Sequence, residues 1–185
     1  MASIGHNGGP AIGSTGWQRF AWQKARTDLL PTLPIEVVRL RVNRAKELGL
    51  PYKTYASVRA ATGHDLIGFL FSSNALRLFK EAKLAEEQAQ KLAAIKADRN
   101  AIVHRPLSPE VVAQLDGIDS AHAAPLFTSK WTDMRDDLRA MVQSRKGSAD
   151  RFMLIGEGTI EREWVAAGQL AGFMSGEAYF AQAQG

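Results

Sequence analysis

The chain contains no cysteine, which excludes a disulfide framework, a thiolate zinc site and an iron–sulfur cluster built from its own side chains. It has no run of about 18 or more apolar residues, so no membrane-spanning helix is expected. Residues 1–16 are rich in glycine and hold no Lys, Arg, Asp or Glu. With neither a basic stretch nor an apolar one there, no secretory signal peptide is expected, and the composition predicts a flexible tail. A cytoplasmic location is the expectation that fits these absences. The four histidines, His6, His64, His104 and His122, are scattered without the spacing of a metal site. There is no Walker loop and no GxSxG elbow, and the stretch LIGEGTIE lacks the third glycine of a dinucleotide fingerprint. No cofactor and no metal is predicted.

What the chain does have is an uneven distribution of charge. The net charge of +4 conceals a front segment, residues 17–64, with nine basic side chains against Asp28, Glu36 and Glu47. That segment carries +6, while Asp65 to Gly185 has fourteen basic and sixteen acidic residues and carries −2. Concentrated positive charge attracts polyanions, so DNA is the partner predicted for residues 17–64. The alternative is a solvated helix face in a basic protein.

At 185 residues the chain suits one medium domain, or one with a small appendage. After the tail, Trp17, Phe20 and Trp22 open a short amphipathic helix, and this Trp-rich segment, 17–22, is a candidate surface for a protein partner. Thr32 and Pro34 announce a second helix, with Ile35, Val38, Val42, Ala45 and Leu48 on one face and Gly49 as its stop. Another short helix covers Tyr52 to Ala61. Ala45, Gly49, Leu50, Tyr55 and Val58 stand at the offsets of a helix-turn-helix. In that geometry Lys53, Thr54, Ser57 and Arg59, with Arg41 and Arg44 from the preceding helix, would meet phosphates or base edges. Arg44 replaces an apolar residue of the motif, and Pro51 stands at the start of its second helix. An ordinary helical hairpin is the competing reading.

From Asp65 the pattern changes to short apolar runs alternating with helical stretches. Strands are predicted at Leu66–Phe71, Ala101–Val103, Ala124–Phe127, Phe152–Ile155 and Ala171–Met174. Helices are predicted over Asn74–Ala97, from Ser108–Pro109, along the face of Trp131, Met134, Leu138, Met141 and Val142, and over Ile160–Ala167. Alternation of this kind predicts a mostly parallel open sheet covered by helices. The expected organisation is therefore a tail at 1–16, a basic helical hairpin at 17–64 and an α/β domain at 65–185.

Open parallel sheets bind ligands beyond the carboxyl ends of their strands. Those ends are predicted to supply Ser72, Ser73 and Asn74; His104 and Arg105; Thr128, Ser129 and Lys130; and Gly156 to Thr159. Hydroxyls, a lysine and helix N-termini suit a phosphorylated small molecule. His104 beside Arg105 otherwise reads as a polar loop pair, and the acids Glu157, Glu161 and Glu163 as favourable charges at a helix N-terminus.

Two resemblances bear on these segments. The stretch FMLIGEGTIEREWVAAG resembles the last motif of haloacid dehalogenase-type phosphatases, a strand followed by Gly-acid-x-x-x-acid. The resemblance implies metal-binding acids at Glu157 and Glu161, the family's hydroxyl at Thr128 or Ser129, and its lysine at Lys130. The family also requires an aspartate nucleophile just after the first strand, where this chain has Ser72-Ser73-Asn74. It therefore implies a non-catalytic relative, and a phosphate-handling hydrolase only if another nucleophile serves. Separately, GHNGGP at Gly5–Pro10 and RAKELGLPYKTY at Arg44–Tyr55 resemble a group of uncharacterised alphaproteobacterial proteins with the same start and an RAxxLGLxYxxY segment. That likeness covers about the first third of the chain and implies a bacterial intracellular protein, without implying an activity. Three functions stand from the sequence: a nucleic-acid-binding or regulatory protein, a haloacid dehalogenase-like ligand-binding domain, and a structural or interaction protein.

Overall fold

The computed structural model describes residues 33–126, 128–143 and 147–181. The glycine-rich tail, the Trp-rich segment, the cap expected at Thr32 and Phe127 lie outside the described residues. Everything below concerns the compact unit Leu40–Gly185, apart from the first residues of helix α1.

Five strands form one sheet: β1 (Gly68–Ser72), β2 (Asp98–Val103), β3 (Ser120–Ala123), β4 (Phe152–Gly156) and β5 (Gly172–Ser175). All pairings are parallel, in the order β3-β2-β1-β4-β5. The helices are α1 (Ile35–Glu47), α2 (Tyr52–Thr62), α3 (Glu86–Ala94), α4 (Pro109–Val112), α5 (Trp131–Gln143), α6 (Gly158–Gly168) and α7 (Gly176–Phe180). This is the α/β architecture expected from alternating runs.

The alternation of side chains along each strand divides the core in two. Phe69, Phe71, Ala101, Val103, Met153 and Ile155 face one layer, where Ala45 and Leu48, Tyr55 and Val58 of α2, Leu92 of α3 and Tyr179 of α7 cover them. Leu70, Ile102 and Leu154 face the other, under Met134 and Leu138 of α5 and Trp164 and Ala167 of α6. Ala45, Leu48, Tyr55 and Val58 of the α1–α2 hairpin are thus spent on the same core as the sheet, while Ile35, expected on the same face, is exposed.

The hairpin turn closes as its residues dictate. Gly49 adopts φ +64, and the bonds Leu50 N–H to Ala45 O and Gly49 N–H to Lys46 O complete a Schellman motif. Asp65 then clamps the hairpin to the domain. Its carboxylate accepts from Arg44 Nε at 3.0 Å and from the Tyr55 hydroxyl at 2.8 Å. Arg44 also bonds Glu47, the Lys96 carbonyl and the Leu66 carbonyl.

Two elements depart from the sequence expectation. The helix predicted over Asn74–Ala97 is only Glu86–Ala94. Its first part is a set of tight turns in which Arg77 takes φ +53 and Leu76 and Leu78 are both buried, a spacing of two that one helix face does not provide. Ser72 Oγ accepts the Ala75 N–H there, one of the local side-chain bonds that compete with helix. The third strand is Ser120–Ala123 rather than Ala124–Phe127. A half-buried edge strand needs no continuous apolar run, so its Ser-Ala-His-Ala sequence gave no strand signal.

Candidate functional site

The sheet order reverses between β1 and β4, and the carboxyl ends of those strands flank the crevice where such folds bind ligands. β1 delivers Ser72 and Ser73, both fully buried, and half-buried Asn74. β2 delivers His104, whose backbone N–H donates to Ser73 Oγ at 3.1 Å. β4 delivers Gly156 and Glu157, and the first turn of α6 delivers Glu161, which is 3% exposed.

Glu161 is the centre of this arrangement. Its Oε1 accepts from Asn74 Nδ2 at 2.8 Å and lies 2.8 Å from His104 Nε2. An ionised carboxylate only accepts, so that ring nitrogen carries the proton. The other oxygen, Oε2, accepts the Glu157 backbone N–H. Burial alone would raise the carboxyl's pKa; the bonds from His104, Glu157, Ser72 and Asn74 outweigh it and hold the group below its ordinary range. The His104 ring stacks on Trp164, centroids 5.5 Å apart. Gly156 makes the close approach possible, because a Cβ there would lie 2.6 Å from Glu161 Oε2.

Of the sequence-predicted strand-end residues, the fold brings Ser72, Ser73, Asn74 and Glu161 together. Glu157 joins through its backbone, while its side chain accepts the Glu177 N–H at 3.2 Å. Thr128, Ser129 and Lys130 sit just before α5, and among the described residues no hydrogen bond or ion pair links them to Glu161. His104, expected at a strand end, joins them, whereas Trp164 is a participant that sequence reasoning did not assign. His104 directly follows the apolar end of β2, but its partner stands 57 positions away, and no local pattern reports such a pairing.

This donor set does not fit a divalent cation. A magnesium site needs more than one carboxylate or an open oxygen shell, whereas both oxygens of Glu161 are already engaged by protein donors. Ser72 and Asn74, at the end of β1, carry no charge to hold a cation. Among the described residues no group of three His, Asp or Glu side chains stands at metal-binding distance.

The residues proposed to read nucleic acid are divided by the fold. Arg44 is committed to Asp65 and Glu47, and Arg59 lies 3.9 Å from Asp65. Arg41 and Lys53 have no ion pair among the described residues, Arg41 half-buried and Lys53 exposed. Lys53, Thr54 and Ser57 line one groove beside β5. No known protein family, curated protein or solved structure matches this chain.

Proposed function

We propose that this chain is a binding protein built on a haloacid dehalogenase-like domain that has given up phosphate hydrolysis. The observation that carries this reading is the engagement of both Glu161 oxygens by Asn74, His104 and the Glu157 N–H. Glu161, the second acid of the Gly156-Glu157-x-x-x-Glu161 stretch, stands beside the ends of β1 and β4. The residues after β1 are a hydroxyl and an amide, uncharged groups of which Asn74 stabilises the carboxylate through a hydrogen bond. Neither group offers the carboxylate nucleophile that an acyl-phosphate would need.

The reading is tested with magnesium and p-nitrophenyl phosphate. The native chain is expected to show no magnesium-dependent turnover and no change in Tm with magnesium. Ser72→Asp/Asn74→Asp rebuilds an acidic cluster around Glu161, so it should lose stability without magnesium and recover it when the ion is added. Magnesium-dependent hydrolysis by the native chain would contradict the proposal. A variant indifferent to magnesium would contradict the placement of the motif.

A second reading, nucleic-acid binding on the basic hairpin, is favoured by the +6 of residues 17–64 and by Arg41 and Lys53, which have no ion pair among the described residues. Duplex DNA should then bind with strong salt dependence and lose affinity in Arg41→Glu/Lys53→Glu. Binding unchanged by that pair of substitutions would sink it. Arg44 and Arg59 are unsuitable for this test, because Asp65 holds them in the fold.

A further inference from the structure

Among the described residues β5 is an edge strand, so one row of its backbone N–H and C=O groups faces away from β4. Such an edge is a template for another strand unless something covers it. Helix α2 lies close by: a Cβ on Gly172 would meet Val58 Cγ2 at 3.6 Å. Between helix and strand is a groove of about 420 Å³ whose walls include Lys53, Thr54, Ser57 and Ala61 on the helix side and Gly172 and Phe173 on the strand side. Lys53, Ser57 and Ala61 are four positions apart and form one row along α2. Among the described residues, Lys53 is the one charged residue that lines the groove, and no acid does.

We propose that this groove takes an extended peptide of a partner protein, added beside β5 with an acidic side chain against Lys53. Strand addition gives affinity through the main chain and specificity through alternate side chains. The four residues of β5 span about 13 Å at roughly 3.3 Å per residue, so a short segment suffices. Small or apolar peptide side chains would face Ala61 and the apolar floor. The acid would lie in the first turn of α2, where the helix N-terminus reinforces the charge of Lys53. A nucleic acid strand would also answer the charge of Lys53. The row of main-chain donors and acceptors along β5, however, has the spacing of a peptide.

Selection of a random-peptide display library on the full chain, followed by fluorescence anisotropy with the strongest peptide, tests this. Enriched peptides should share an acid at one position, and binding should slow hydrogen exchange at Gly172–Ser175. Lys53→Glu should weaken binding by about tenfold or more, and replacing the peptide's acid with Lys should restore it on that variant. Ala61→Trp, at an exposed position, should block the groove with Tm unchanged. Absence of any enriched peptide, or protection confined to other segments, overturns the proposal. So does DNA binding that falls with Lys53→Glu and ignores Ala61→Trp, which assigns Lys53 to nucleic acid instead. The magnesium experiment reads Glu161 alone, so either idea can fail without the other.

Discussion

The side-chain amide of Asn74 donates to Glu161 Oε1 over 2.8 Å, tying the end of β1 to the first turn of α6 across 87 positions of sequence. His104 reaches the same oxygen from the end of β2. One buried carboxylate therefore gathers the carboxyl ends of three strands, and stability as well as function should depend on it.

Glu161→Ala should lower the unfolding free energy by about 2–4 kcal/mol, because it strands the donors of Asn74 and the Glu157 N–H and breaks the His104 pair. Urea denaturation measures this. Asn74→Ala should cost less, and the double variant should cost less than the two single losses together, since each removes the same bond. Strict additivity would mean that the two side chains do not interact.

The acid limb of stability should carry the mark of Glu161. Its pKa is held below the ordinary glutamate range in the fold, so the unfolded chain binds the proton first. The stabilisation is complete above the unfolded value and is lost as pH falls through the lower, folded one. Tm measured from neutral pH downward should therefore drop more steeply for the native chain than for Glu161→Gln. Parallel curves would assign the acid limb to other groups.

Gly156→Ala tests the close approach at the end of β4. The added methyl would stand 2.6 Å from Glu161 Oε2 and 3.0 Å from the Phe173 ring, so the carboxylate must move and its bonds weaken. A loss of about 1–3 kcal/mol is expected, as for other overpacked sites. A Tm equal to that of the native protein would show that the first turn of α6 gives way freely.

Asp65→Ala should loosen the α1–α2 hairpin by removing the acceptor shared by Arg44 and Tyr55. The carboxylate is about one-third exposed, so solvent discounts the pair and a modest loss of roughly 1–2 kcal/mol is expected. Burial, then the bond to Asp65, raises the Tyr55 hydroxyl above its ordinary pKa. A spectroscopic titration of tyrosine should show part of that shift removed in the variant.

Much of the architecture was legible in the residues. LIGFLF read as a buried strand and Phe152–Ile155 as a strand, and the helix spacing of Ala45 and Leu48 and the helix-turn-helix offsets of Tyr55 and Val58 marked positions that are buried. These features come from periodicity and propensity, which act over a few residues. Ser120–Ala123 was missed because a polar edge strand has no such pattern. The turns from Ser73 to Phe79 were missed because burial of Leu76 and Leu78 overrode helix-forming composition downstream.

The concentration of basic residues at 17–64, the absence of thiol chemistry and the parallel α/β class were determined by sequence alone, since each depends on composition or local period. Only the tertiary structure decided what those residues do. Strand order brings Asn74 and His104, not Lys130, to Glu161, and folding the hairpin onto the sheet commits Arg44 and Arg59 to Asp65 while leaving Lys53 at a groove. Those outcomes rest on contacts between segments far apart in the chain, and no local pattern encodes which of several strand ends or charges will meet.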